Sequence, residues 1–374
     1  MDKLGLIILA GGLSTRMGQP KALLSWINGE SLISHALRKG LDADVQDILI
    51  SIGDDEQLGL AIQTHIIDTL SNDEKNKVSI VRDSVGRCGP LGGLYSTLAV
   101  GTSSAYAVMA VDMPFMEMDL YYDWLYQVEH NDWNAIVPYG ESGKAEPMAG
   151  IYRPHIASLI QSILVSEDVS LHHALDVIGH VESIDACDYS WELSNINRFE
   201  DYQWARALAE NEFRRVPLIS VVASKRKTGK TTVVTRLVCE LQKIGLSVGV
   251  VKSDKHGFQM DYEGTDTDLA YKAGADAVAI AGPTETAIRI RTKEQSNLYE
   301  ISQFMPVDIV ILETRSQGIA PIIEVTQEGY TEELISDPMD RVATIEIGKL
   351  DQDVPELVRH IQEMMRSLNG RRYC

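Results

Sequence analysis

Two stretches of this chain are built alike. In each, a short apolar run ends in a loop carrying glycine and lysine, and a helix-like segment follows. The first, residues 4–24, reads LGLIILAGGLSTRMGQPKALL; the second opens at Leu218 as LISVVASKRKTGKTTVV. A run of this length, apolar at every position, is the signature of a strand buried on both faces, as in a parallel sheet. Further runs of similar length follow each opening. After the first they are residues 47–53, 78–83, 105–112 and 134–139; after the second, 247–254, 276–282, 307–314 and 322–327. Helix-like segments separate them, which predicts parallel sheets covered by helices on both faces. Between the two series, DYQWARALAENEFRRVP (201–217) reads as a polar helix closed by Pro217. The boundary is therefore expected near 212–217, dividing the chain into 1–212 and 213–374. A length of 374 residues suits two or three domains at roughly 150 residues each.

Neither loop copies a standard dinucleotide fingerprint. That pattern needs G-x-G-x-x-G, whereas Gly11 and Gly12 are adjacent. The first loop also lacks the Walker A spacing, since Gly18-Gln19-Pro20-Lys21 has no four-residue gap between glycines. The second loop is a near-Walker A: Gly229, Lys230 and Thr231 are in place, and Ser224 stands where the leading glycine would be. Its mechanism rests on the back half. Backbone N–H groups in Lys227, Thr228, Gly229 and Thr232 face phosphates, Lys230 reaches the outer ones, and Thr231 is a Mg²⁺ ligand.

The net charge of −20 argues against nucleic acid and anionic membranes as partners, because both repel an acidic surface. An anionic ligand must then be captured by local cations, Arg16 with Lys21 in the first loop and the run Lys225-Arg226-Lys227 with Lys230 in the second. No apolar run approaches the roughly 18 residues of a membrane span. The four cysteines are widely spaced with no C-x-x-C pair, which favours a reducing cytoplasm over a zinc site or disulfide framework.

In an open α/β sheet, ligands bind outside the carboxyl ends of the strands. Gly11 and Gly12 lie at such an end and let a nucleotide approach the backbone. Arg16 and Lys21 can neutralise a triphosphate and then a leaving pyrophosphate. Asp112, in AVMAVDMPF, ends another apolar run just before a proline, where a carboxylate suits Mg²⁺ bridging nucleotide phosphates. CGPLGGL (88–94) is a second glycine-rich turn opening a helix.

These residues together resemble the MobA family, the molybdenum cofactor guanylyltransferases. The carriers are L-A-G-G-x-x-x-R-M-G-x-x-K (9–21), Gly12, GPLGGL, Asp83 in RDS, Asp112 in VDMPF, EPMAGIYR (146–153) and NINRFED (195–201). The resemblance covers roughly residues 1–205. It implies GTP as donor, molybdopterin or the molybdenum cofactor as acceptor, and Mg²⁺ held by Asp112. It also places Leu9, Ala10, Gly11, Gly12, Lys21, Asp83 and Gly89 at GTP, Arg16, Lys21 and Asp112 in catalysis, and Arg153, Asn195 and Asn197 at the acceptor. Ser51 and Gly53 stand where that family usually has asparagines, and Glu146 where a histidine can occur.

Residues 218–374 resemble the MobB family, the GTP-binding proteins that accompany MobA. Lys252, His256, Asp261, Gly264 and Asp266 fall in its K-H-x-x-H and D-x-x-G-x-D stations, and VDIVILET ends at Glu313 as its Walker B strand does. Ser253, Thr314, Ser316 and Ile322 depart from the family pattern. With two lysines lost, this half is expected to bind GTP and hydrolyse it slowly or not at all. The resulting expectation is an α/β chain of two three-layer αβα domains, a Rossmann-like nucleotidyltransferase followed by a P-loop domain. It would make molybdopterin guanine dinucleotide and pyrophosphate in the cytoplasm, with apo-molybdoenzymes and their chaperones as further partners. The rivals are transfer of CMP or of a nucleotide to a sugar phosphate, and a nucleotide-gated cofactor carrier without turnover. His172-His173 and the Tyr121, Tyr122, Trp124, Tyr126 group read as helix packing.

Overall fold

The computed structural model describes residues 4–11, 20–85, 88–128, 132–140, 143–166, 168–252, 262–292, 296–314, 318–331 and 333–372. The chain divides into two compact units, Met1–Tyr202 and Gln203–Cys374. The division falls within the helix Phe199–Glu212, upstream of the sequence boundary expected at 212/213. From Arg206 onward that helix is tied to the second unit: Arg206 pairs with Asp340 at 3.0 Å, and the buried Asn211 side chain donates to the Leu218 carbonyl. No described helix is long and apolar enough to cross a membrane.

The first unit is built on seven strands: β1 (Gly5–Leu9), β2 (Ile48–Ser51), β3 (Val78–Val81), β4 (Tyr106–Ala110), β5 (Ala135–Tyr139), β6 (Ile151–Tyr152) and β7 (Val181–Asp185). Their order is β3-β2-β1-β4-β6-β5-β7. All pairs are parallel except those made by β6, which runs antiparallel between β4 and β5. β2 and β4 are buried at every position, as the apolar runs require. The chain moves outward from β1 to β2 and β3, then returns to β4 on the other side of β1. That reversal is a topological switch point, and it opens a crevice at the carboxyl ends of β1 and β4. Register aligns those ends, Leu9 facing Ser51 on one side and Ala110 on the other.

The second unit has a five-stranded parallel sheet in the order β14-β13-β8-β12-β9. Its strands are β8 (Leu218–Val222), β9 (Val248–Lys252), β12 (Ile309–Glu313), β13 (Ile322–Thr326) and β14 (Arg341–Glu346). Here too the order reverses around the first strand, β8. One expectation is corrected. Residues 276–282 do not join the parallel sheet. They form β10 (Ala277–Ala281), paired antiparallel with β11 (Thr286–Ile290) in a separate two-stranded sheet. The Gly282-Pro283 turn reverses the chain at once, Gly282 N donating to Glu285 O at 2.7 Å, so no crossover helix can follow.

Candidate active site

The first cavity, about 250 Å³, lies at the β1/β4 switch point. Leu9, Ala10 and Gly11 line it from the end of β1, Ser51 from β2, Asp83 from the segment after β3, and Asp112 from the turn after β4. Gly11 is required there. Its amide donates to the Ser51 carbonyl at 3.0 Å, and a Cβ on it would lie 2.3 Å from Gly53 N. Lys21 opens a 3-10 turn behind Pro20 and enters the cavity, where its Nζ donates to Asp112 Oδ2 at 2.7 Å. About a fifth of each side chain is exposed, so both can exchange this contact for a ligand. Asp83 accepts from Ser51 Oγ at 3.2 Å; burial raises its carboxyl pKa, the Ser51 bond opposes, and Asp54 adds to the rise. Gly89 and Pro90 close the cavity with the amino end of the helix Gly89–Leu98, whose dipole favours an anion.

A partly exposed carboxylate beside a lysine, with room for phosphate oxygens and water, is a donor set that fits Mg²⁺, which takes one or two carboxylates and completes its shell from phosphates and water. Asp112 would be the protein ligand.

The acceptor residues are placed differently. Arg153 does not line the cavity; its guanidinium lies over the Trp133 ring, 4.2 Å from the centroid. Asn195 and Asn197 also lie outside the lining, but Ile196 N between them donates to the Asp112 carbonyl at 2.8 Å. The Asn195 Oδ1 is buried without a hydrogen-bond partner among the described residues, while Asn197 is exposed and its amide donates to Asp201. Gly12 and Arg16 lie outside the described residues. Ser51, Pro90, Gly93 and Met148 line the cavity without having been expected there. Ser51 obeys the rule that singled out Asp112, a polar residue ending an apolar run.

The second cavity, about 500 Å³, is lined by Arg226 to Thr232 and by Lys252, Glu313 and Thr314. Lys227 (φ 61°) and Gly229 (φ 98°) take left-handed backbone, and Gly229 caps the 14-residue helix Lys230–Lys243. The loop lies at the positive end of a long helix, and left-handed residues of this kind are those that build anion-binding amide nests. Thr228 Oγ1 donates to the Lys225 carbonyl at 2.8 Å and closes the turn. Thr231 Oγ1 donates to Glu313 Oε1 at 3.1 Å, and Lys252 Nζ lies 3.2 Å from the same oxygen. A threonine hydroxyl and a carboxylate so placed also suit Mg²⁺. Ser224 Oγ, at the missing-glycine position, is buried without a partner among the described residues. Asp266 starts the helix Asp266–Lys272, is exposed, and does not line the cavity. His256 and Asp261 lie outside the described residues. Thr314 was not expected in the lining; Arg226 belongs to the basic run expected to capture an anion there.

A groove of about 600 Å³ lies at the carboxyl ends of β13 and β14, lined by Gln327, Glu328, Glu346 and Lys349 among others. Tyr330, next in sequence to the lining residue Thr331, donates to the Arg226 carbonyl at 2.9 Å. His172 Nε2 contacts the Ala145 carbonyl, and Tyr121 and Trp124 are buried with rings edge to face. Tyr126 is exposed.

A family model described as MobA-like NTP transferase domain matches residues 6–181, and one for molybdopterin guanine dinucleotide synthesis protein B, MobB, matches residues 218–346. A Bacillus cereus (strain G9842) protein named "Probable molybdenum cofactor guanylyltransferase" is 28% identical over 216 residues, 57% of this chain and all of that protein. Among solved structures, molybdopterin-guanine dinucleotide biosynthesis protein A from Archaeoglobus fulgidus matches with a TM-score of 0.46 at 17% identity, over 55% of this chain and 99% of that one. A MobB protein homolog from Bacillus stearothermophilus matches with a TM-score of 0.28 at 17% identity, over 39% of this chain and 98% of that one.

Proposed function

We propose that this chain, which joins a MobA-like NTP transferase domain to a MobB domain, transfers GMP from GTP to molybdopterin or the molybdenum cofactor, giving molybdopterin guanine dinucleotide and pyrophosphate. The observation that carries this reading is the Lys21–Asp112 pair, brought together across 91 residues at one switch point beside Asp83. A terminal phosphate oxygen of the acceptor attacks the α-phosphorus of GTP. The bond from that phosphorus to the bridging oxygen breaks, and the electron pair leaves on pyrophosphate. The acceptor phosphate is already a nucleophile, so the residues act chiefly by alignment and charge neutralisation. Lys21 moves from the Asp112 carboxylate to the phosphates, Arg16 adds charge on the same loop, and Asp83 with Ser51 holds the guanosine end. Mg²⁺ on Asp112 would supply charge neutralisation at the α- and β-phosphates. Arg153, Asn195 and Asn197 are assigned to the acceptor.

Residues 1–212 are proposed to carry the transfer, and 213–374 to bind GTP with Mg²⁺ on Thr231. The fused second half then acts as a tethered accessory at high effective concentration, holding or handing on the product to apo-molybdoenzymes and their chaperones. The scattered cysteines suit the cytoplasm for this chemistry. Pyrophosphate release from GTP with molybdopterin, with the dinucleotide identified by mass, is the expected result. Equal or faster release with CTP would overturn the guanylyl assignment, and GTP binding with no release would point instead to a carrier.

A further inference from the structure

Asp112 sits on a turn, and something must hold that turn still. On one side its place is set by backbone bonds: Val111 N donates to Leu9 O at 3.0 Å, and Ile196 N to Asp112 O at 2.8 Å. On the other side the chain leaves through Met113, Pro114, Phe115 and Met116, and its carbonyls need donors. These come from the helix Leu32–Asp42. Lys39 Nζ donates to the Pro114 carbonyl at 2.6 Å and to the Met116 carbonyl at 2.7 Å, and pairs with Glu117 at 2.8 Å. One turn earlier on the same face, His35 Nε2 donates to the same Pro114 carbonyl at 3.2 Å. The Lys39 side chain is only 8% exposed. A lysine withdrawn this far from water, with its charge spent on two carbonyls and a carboxylate of one short turn, is not a solvated surface residue. Phe115 is wedged edge to face against Trp26 and Trp191, so the turn cannot easily slide along the helix.

We infer that Lys39 is a positioning residue for Asp112: it clamps the turn after β4 and thereby sets how tightly the Asp112 carboxylate takes a divalent cation beside a nucleotide. Lys39 touches neither the cavity nor a phosphate, and acts through the backbone. The inference rests on the assignment of Asp112 as the metal carboxylate. Outer partners that orient a metal ligand are worth tenfold to a hundredfold in metal affinity, and a clamp on the ligand's own turn belongs in that range.

The test uses the full chain carrying Thr231→Val, which silences the second metal position. Mn²⁺ affinity is measured by electron paramagnetic resonance with the α,β-methylene analogue of GTP, which cannot be cleaved at the reacting bond. Lys39→Met keeps the aliphatic stem and removes the donors. It is expected to weaken Mn²⁺ binding by about tenfold, while affinity for the analogue without metal stays within about twofold. Leu37→Ala, a buried residue of the same helix, is the control for general loosening and is expected to lower the melting temperature with Mn²⁺ affinity retained. Mn²⁺ affinity unchanged in Lys39→Met, with Asp112→Asn still abolishing it, overturns the positioning role alone. Equal weakening in Leu37→Ala and Lys39→Met at equal loss of stability overturns it as well, because the effect is then one of general stability. If Asp112→Asn leaves Mn²⁺ affinity intact, the reading of Asp112 itself falls and takes this inference with it.

Discussion

The loops after β1 and β8 leave equivalent places, each the first strand of its unit at a point where strand order reverses. They assemble their sites in opposite ways. The second collects most of its lining from one continuous run, Arg226 to Thr232, and adds Lys252 and Glu313 from two neighbouring strand ends. The first gathers short pieces from separate places, the ends of β1, β2 and β4, the segment after β3, the start of the helix Gly89–Leu98, and Lys21 and Met148. In the second, the helix N-terminus and loop amides would be the main anion-binding groups, with side chains refining them. In the first, Lys21 and Asp112 carry the charge, so each side chain there matters more. A site of backbone amides tolerates side-chain change; a site of converging side chains does not.

The largest test of that difference is Asp112→Asn. Transfer should fall by about 10³-fold, the scale of losing a main electrostatic contributor, with an unchanged circular dichroism spectrum and melting curve. Near-normal turnover in Mg²⁺ would erase the contrast between the two sites. Next is Lys230→Ala in the full chain. Nucleotide binding by the second unit should weaken by about 100-fold, since one buried cation facing phosphate is worth some 3 kcal/mol, while dinucleotide formation continues. GTP hydrolysis by the second unit of the unaltered chain should stay well under ~1 s⁻¹, below ordinary enzyme turnover. A faster steady rate, lost in Lys230→Ala, would show that loop amides and one lysine suffice for catalysis.

The smallest effect concerns the scaffold beneath the first site. Burial, and then the Lys39 charge, lower the His35 pKa from 6.5 to about 4. The folded state therefore resists a proton that the unfolded chain accepts below pH 6.5. Stability should be full above that value and fall as pH drops toward 4. The loss is on the order of 2 kcal/mol, with the 22% of the side chain left in water screening part of the effect. Urea melts across pH 4–7 would show this, and His35→Gln, which keeps a donor for the Pro114 carbonyl, should flatten the profile. An identical slope in that variant would move the origin elsewhere.

Contiguity also decided what could be read in advance. Gly229 to Thr231 fall in sequence as they fall in space, Asp112 ends an apolar run, and Lys21 is one of two cations in the glycine-rich loop after another, so local sequence singled them out. Ser51 ends β2 and Met148 sits inside EPMAGIYR, but neither signal names this cavity; they reach it because β2 lies beside β1 and because the turn before β6 folds back. Arg153, expected at the acceptor rather than in this cavity, ends a motif-bearing segment; it follows β6, which is pinned antiparallel between β4 and β5, and its guanidinium stacks on Trp133. The run 276–282 was misleading because an apolar strand in an exposed hairpin has the same composition as one in a sheet. Ile280, Ile288 and Ile290 are all more than half exposed, so burial was not what their hydrophobicity served locally.

The close approach of Gly11 to the turn after β2 has a consequence for redesign. The obstacle to a side chain at position 11 is main chain, Gly53 N at 2.3 Å and Ile52 C at 2.6 Å, and this turn is held by Ile52 N donating to Val81 O at 3.1 Å and Asp83 N donating to Gly53 O at 2.9 Å, so it cannot easily step aside. Viewed from the other partner the barrier is much lower. A Cβ at position 53 would rest 3.4 Å from Gly11 Cα, ordinary contact, and the φ of 62° there is one that asparagine and aspartate adopt. The pair works as a ratchet, closed to variation at one tooth and open at the other. A library aimed at altering which nucleotide this domain accepts should freeze position 11 and sample glycine, asparagine and aspartate at position 53.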